Sequence, residues 1–280
     1  MEKNTQEIYL DHAATTYVRE EVKAAMDRYF CEEFGNPGSF HTLGLKAKEA
    51  VAEARNTVKQ LINANKPEEI IFTGSGTESI NLAIQGIARA NKTLGKHIIT
   101  SKIEHEAVLE TCKYLQQHEG FEITYLDVDK YGVISPEELK KAIRNDTILI
   151  SIMYANNEIG TIQSIIELVK IAKEISQKQE HPLIFHTDAC QAGGVLDIDV
   201  NKLGVDLMTI NSSKIYGPKG VGMLYVKSGT KIHPLIHGGG QENRLRSGTE
   251  NVAGIVGFAT ALELAQAEKE QENKRLTELR

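Results

Sequence analysis

FHTDACQAGG (residues 185–194) and DLMTINSSKIYGPKG (residues 206–220) decide the architecture of this chain. Leu183, Ile184 and Phe185 form a short apolar run that ends on Asp188. Leu207, Met208, Thr209 and Ile210 form a second run, which delivers Asn211, Ser212, Ser213 and Lys214. Apolar runs of this length, bounded by glycine and proline, read as buried strands. Adjacent parallel strands of an open α/β sheet end at one rim, where ligands bind. The pattern therefore predicts that Asp188 and Lys214, 26 positions apart, open onto a single cleft.

Pyridoxal phosphate fits such a pair. Its aldehyde condenses with a lysine, and a carboxylate beside the ring nitrogen keeps the pyridinium protonated and makes the ring an electron sink. A surface ion pair uses the same two residue types, so the pair alone leaves both readings open.

Outward from these strands the chain alternates. Strands are expected at 69–73, 97–100, 121–128, 147–153 and 222–226. Helices are expected at 45–62, 77–88 and 165–175 and from 252 onward, the second with Ile80, Ala83, Ile84 and Ile87 at helical spacing. With the two opening strands this makes seven, interleaved with helices: an α/β sandwich. Tyr9 and Leu10 read as a further short strand running into a small-residue turn. Gly74-Ser75-Gly76-Thr77 is a glycine-rich strand-to-helix turn whose N–H groups suit an anion. No Walker lysine follows it, which disfavours a nucleotide loop.

Asp127 to Glu138 imitates a calcium loop. Tyr131 replaces an oxygen donor, however, and a strand precedes the loop where an entering helix belongs. Ser135-Pro136-Glu137-Glu138 is better read as a capping box with proline at the first helical position.

Bulk properties narrow the class of function. The 280 residues, 41% hydrophobic and 25% charged, with six prolines, describe one large globular domain with room for a smaller partner. A net charge of −6 exerts no pull toward nucleic acid or anionic membrane. Neither a signal peptide nor a membrane span is expected. Three widely spaced cysteines, Cys31, Cys112 and Cys190, fit neither a disulfide framework nor a cysteine-rich zinc site, and so suit a reducing, cytoplasmic setting.

H-x-D-A-x-Q at His186 to Gln191 and S-K-I-Y-G-P-K-G at Ser213 to Gly220 resemble the class V aminotransferase family, and within it the cysteine desulfurases of the NifS/IscS type. So do Y-L-D-H-A-A-T-T from Tyr9, N-N-E-I-G from Asn156 and G-G-G-Q-E…R-S-G-T from Gly238 to Thr249. The resemblance runs from Tyr9 to about Ala265. It implies the fold type I architecture of PLP-dependent transferases (aspartate aminotransferase-like). That is a mostly parallel seven-stranded sheet sandwiched by helices, with an incomplete second, smaller domain. Residues 16–250 would form the large cofactor-binding domain, 1–15 an N-terminal arm and 251–280 the start of the small domain.

The resemblance also implies roles. Lys214 would hold pyridoxal 5'-phosphate and move the substrate Cα proton, and Asp188 would face the ring nitrogen. His105 would stack on the ring and serve in proton transfer. Asn157 and Gln191 would approach the phenolic oxygen. Gly76 and Thr77 would contact the phosphate, and Thr249 would touch the neighbour's cofactor phosphate across a homodimer; by their own hydroxyl and amide chemistry Asn211, Ser212 and Ser213 are expected to add donors to the phosphate. L-Cysteine would yield L-alanine and an enzyme persulfide, supplied to an iron–sulfur scaffold or another sulfur-acceptor protein. No metal, nucleic-acid or membrane partner is implied.

The chain departs from the family pattern at three places. Gly38 stands where serine is usual, and Ser213 where a histidine often precedes the lysine. The third departure is the stop at Arg280, in mid-helix. It leaves out the segment with the persulfide cysteine and the carboxylate-holding arginine, so the chain is expected to be inactive alone. The rival readings are a non-catalytic dimeric scaffold and another class V aminotransferase or lyase.

Overall fold

Seven runs rich in Ile, Leu, Val and Thr pair into one sheet in the computed structural model, which describes residues 7–179 and 181–280. In chain order the strands are β1 (Ile70–Thr73), β2 (His97–Ser101), β3 (Glu122–Leu126), β4 (Thr147–Ser151), β5 (Ile184–Asp188), β6 (Leu207–Asn211) and β7 (Gly222–Val226). Their spatial order is β1-β7-β6-β5-β4-β2-β3. Strands β3, β2, β4, β5 and β6 are mutually parallel, whereas β7 runs antiparallel to both β6 and β1. No helix long enough for a parallel crossover separates β6 from β7, so the chain reverses between them. Because β7 opposes both its neighbours, β1 points the same way as β6. The C-terminal ends of β1, β2, β4, β5 and β6 therefore share one rim.

Helices α1 (Glu20–Cys31), α2 (Thr42–Leu61), α3 (Gly76–Asn91), α4 (Glu106–His118), α5 (Pro136–Ala142), α6 (Ile165–Ser176), α7 (Val200–Leu203) and α8 (Val252–Leu279) cover the sheet. Successive strand residues face opposite sides, and both sides are covered, which is why the strands read as continuous apolar runs. Ile70 and Phe72 enter the core shared with α2 and α8, while Ile71 between them joins the core of α3 and α4. The start of α8 belongs to the first of these cores through Val252, Ile255, Phe258 and Leu262. Gly257 permits that approach, since a Cβ there would stand 2.5 Å from Met26 Sδ.

All seven expected strands are present, and three local expectations are corrected. Tyr9 and Leu10 form no strand. Instead the Tyr9 hydroxyl donates to the carbonyls of Asp11 (2.7 Å) and Thr15 (2.9 Å), closing a turn. Residues 1–6 of the expected arm lie outside the described residues. The capping box at Ser135 is only half formed: Ser135 Oγ accepts the Glu138 N–H, but the Glu138 carboxylate pairs with Lys141 at 2.7 Å. The strand expected at 121–128 ends at Leu126. Beyond it Asp129 Oδ1 accepts the N–H groups of Tyr131 and Val133, so that carboxylate shapes a turn. Among the described residues no helix is long and apolar enough to cross a membrane.

Candidate active site

Two residues before the rim, His186 lies fully buried in β5. Its Nδ1 meets Ser151 Oγ of β4 at 2.9 Å, and its Nε2 meets Thr209 Oγ1 of β6 at 3.0 Å. Burial pushes its pKa down to about 3, so the ring is neutral and ties three strands together beneath the rim. Two residues on and on the same face, Asp188 accepts the Cys190 N–H at 2.9 Å and opens into a cavity of about 520 Å³.

Lys214 reaches the same cavity from the turn after β6. Its Nζ donates to the carbonyls of Ala13 (2.6 Å) and Ala14 (2.5 Å). Gln191 Nε2 also donates to Ala13 O, at 2.9 Å. The arm is pinned here by Thr16, which exchanges hydrogen bonds with Ser213 O and Tyr216 N–H, and by Lys219 Nζ on Thr16 O. In the sequence the Asp11–Thr16 stretch stood out only by its resemblance to the family motif. Contacts bridging some 200 positions leave no periodic signal.

The third wall is the start of α3. Ser75 caps it, taking the Glu78 N–H on its hydroxyl and the Ser79 N–H on its carbonyl. The N–H groups of Gly76 and Thr77, both on the cavity wall, are thereby left for an anion. Gly76 has no room for a side chain: a Cβ would sit 2.9 Å from Cys190 Sγ and 3.0 Å from Asn211 Cβ. Asn211 Nδ2 donates to Ser213 Oγ at 3.1 Å, and both residues line the cavity.

The opposite wall carries His105 and Asn157. His105 caps α4, its Nδ1 accepting the Ala107 N–H at 3.0 Å, which leaves Nε2 as the ring nitrogen available to a ligand. Within Asn156-Asn157 the two residues divide the work. Asn156 accepts the N–H groups of Glu158 and Ile159 and donates to Ile103 O, holding the loop that presents Asn157.

Two expected residues stand apart from this cavity. Ser212 is buried with its hydroxyl turned to Gly217, where an added Cβ would lie 2.2 Å from Oγ, so it offers no direct contact to a phosphate here. Thr249 is not on the lining either. Its neighbours Gly248 and Glu250 border a separate hollow of about 40 Å³ together with Arg246, which donates to Glu78 Oε1 at 2.9 Å. Sequence reasoning missed Met153, Ala155, Glu158 and Ile80, which also line the main cavity.

Of the three cysteines only Cys190 touches the cavity. Burial, with Asp188 adding to it, raises its thiol pKa well above the ordinary value. Cys112 is buried in α4 and pushed up to about 12, and Cys31 is exposed on α1. Thiols held protonated in this way are poor nucleophiles.

The cavity thus sets an amine, a carboxylate, a helix N-terminus and a histidine around one hollow of cofactor size. Residues 8–280 match the family model for class V aminotransferases. The cysteine desulfurase IscS of Dictyoglomus turgidum is 58% identical over 275 residues, spanning 98% of this chain and 68% of that protein. Across the first such relatives the chain spans about two thirds of their length. A solved NifS-like protein superimposes with a TM-score of 0.92 at 43% identity, over 96% of this chain and 72% of that one. SspA in complex with cysteine does so with a TM-score of 0.87 at 41% identity, over 92% and 72%. The chain belongs to the class V aminotransferase family, and within it to the cysteine desulfurases.

Proposed function

We propose that the cavity binds pyridoxal 5'-phosphate and serves removal of sulfur from L-cysteine. The observation that carries this reading is the presence of Lys214 and Asp188 on one cavity, beside a glycine-opened helix N-terminus. The phosphate belongs on the N–H groups of Gly76 and Thr77, with Asn211 and Ser213 as further donors. Asp188 would face the ring nitrogen as its partner. When bound, the cofactor delocalises the electron pair left on the substrate Cα.

The remaining steps fall to side chains of this chain. Lys214 would hold the cofactor, and its Nζ, once released from the Ala13 and Ala14 carbonyls, would move the Cα proton. His105 would lie against the cofactor, with Nε2 free to handle a second proton. Asn157 and Gln191, both on the cavity wall, would offer amide hydrogens to the phenolic oxygen. The group that accepts the sulfur is none of Cys31, Cys112 and Cys190 as they are placed. A homodimer, with Thr249 reaching the partner's phosphate, a sulfur-acceptor protein and a cytoplasmic setting complete the proposal.

Adding pyridoxal 5'-phosphate to the protein should produce a visible absorption band that Lys214→Ala lacks. The same band in both proteins, or in neither, overturns the reading.

A further inference from the structure

Glu104 precedes His105 in the loop after β2 and is almost wholly buried. Its Oε1 accepts two hydrogen bonds, from Ser101 Oγ at 2.6 Å and from the Met153 N–H at 3.0 Å. Its Oε2 is buried with no hydrogen-bond partner. Glu104 forms no ion pair among the described residues, and the nearby Asp188 carboxylate, of like sign, adds to burial in raising its pKa. The Cys112 thiol also feels it. A carboxylate buried without a cation is very costly, whereas a carboxylic acid in the same place is not.

Of the two bonds to Oε1, the one from Ser101 stays within the β2 turn, and the one from Met153 crosses to the loop after β4. Ser101 ends β2, and Met153 opens the loop after β4 that continues through Asn156 to Asn157. A second link, from Asn156 Nδ2 to Ile103 O at 2.9 Å, runs between the same two loops one residue before Glu104. His105 and Asn157, one on each loop, both line the cavity.

We propose that Glu104 is a positioning residue, held as a neutral carboxylic acid, that fastens the loop bearing His105 to the loop bearing Asn157 and so fixes both side chains against the cofactor. Its role at the cofactor rests on the function proposed above; its protonation and its hold on the two loops do not. The Oε2 hydrogen is the feature that lets an uncompensated acid sit here, while Oε1 supplies the two acceptor sites. Glutamine reproduces that arrangement, with an acceptor oxygen and a neutral donor. Methionine fills similar volume and reproduces neither.

Three measurements on the full chain test this. Infrared spectroscopy near neutral pH should show a protonated-carboxyl C=O stretch in the wild type that is lost in Glu104→Gln; its absence from the wild type overturns the neutral acid. Amide hydrogen exchange of the cofactor-free protein should quicken about tenfold or more at 103–108 and 153–158 in Glu104→Met, and stay near wild type in Glu104→Gln. Equal protection in all three proteins overturns the fastening role. Titration with pyridoxal 5'-phosphate should weaken about tenfold in Glu104→Met and less than about threefold in Glu104→Gln. Glutamine behaving like methionine in exchange and titration means that the negative charge is required, and refutes the proposal. Failure of every protein to bind cofactor sinks the proposed function instead, leaving the infrared and exchange results to decide the loop-fastening role.

Discussion

Replacing Arg55 with leucine should cost far more than a surface arginine does, and the loop opposite explains why. Glu242, Asn243 and Arg244 are three successive non-glycine residues with left-handed backbone, at φ 45°, 56° and 65°. Each such residue costs on the order of 1 kcal/mol or more, so this turn persists only because something holds it. The holder is the Glu242 carboxylate, whose side chain is 3% exposed. It accepts a bidentate pair from Arg55 at 2.7 and 2.8 Å and the Phe72 N–H at 2.8 Å. Arg55 also donates to Ile70 O and lies 4.9 Å over the Phe72 ring. Removing one partner of a buried pair strands the other charge, at about 3–5 kcal/mol. Urea unfolding followed by circular dichroism should therefore place Arg55→Leu lower by about that amount. The double variant Arg55→Leu/Glu242→Leu should lose clearly less than the two single losses added together. A loss under about 1 kcal/mol for Arg55→Leu, or strict additivity of the pair, refutes the reasoning.

Asn243→Gly relieves one of the three left-handed positions but loses the Asn243 Nδ2 donation to Glu68 O at 3.0 Å, so stability should change by less than about 1 kcal/mol in the same urea experiment. Gly76→Ala should lose about tenfold or more in affinity for pyridoxal 5'-phosphate, measured by absorbance titration, because the new methyl meets Cys190 and Asn211. Two buried groups contribute in opposite directions to the pH profile of stability. The Glu104 pKa is raised to about 8 by burial, with Asp188 adding, so the folded state keeps a proton that the unfolded chain gives up near 4.5. The stability this contributes is complete below 4.5 and is lost as pH rises to about 8, at about 1.4 kcal/mol per unit. Glu104→Gln should flatten that alkaline decline in thermal melts. His186 works in the opposite direction: burial lowers its pKa from 6.5 to about 3, so its contribution is complete above 6.5 and is lost as pH falls through that window. His186→Gln should show a shallower acid decline.

The sheet was legible because each strand is a short apolar run and each helix has its own period. The sharing of Asp188 and Lys214 by one rim followed from strand direction alone. The antiparallel course of β7 was not anticipated, since periodicity carries no direction. The Lys214 contacts to Ala13 and Ala14, the Arg55–Glu242 anchor and the Glu104 link were equally hidden, because each joins residues far apart in sequence or through backbone carbonyls. Ser212 shows the converse limit. A serine next to the lysine reads as a donor, yet the narrow turn at Gly217 rotates its hydroxyl away from the cavity. Tyr9 and Leu10 have strand-like side chains, but a strand needs a neighbour and they have none.

Imidazole rings bridge hydroxyls at both ends of the sheet's centre. Where the strands begin, His97 of β2 meets Thr147 of β4 and Thr124 of β3, each at 2.7 Å, while His186 does the same for β4 and β6 near the rim. A slip of one residue in any of these strands would send a ring or its hydroxyl to the wrong side of the sheet and leave both unpaired in a dry interior. Strand alignment is thus guarded from within, independently of the loops.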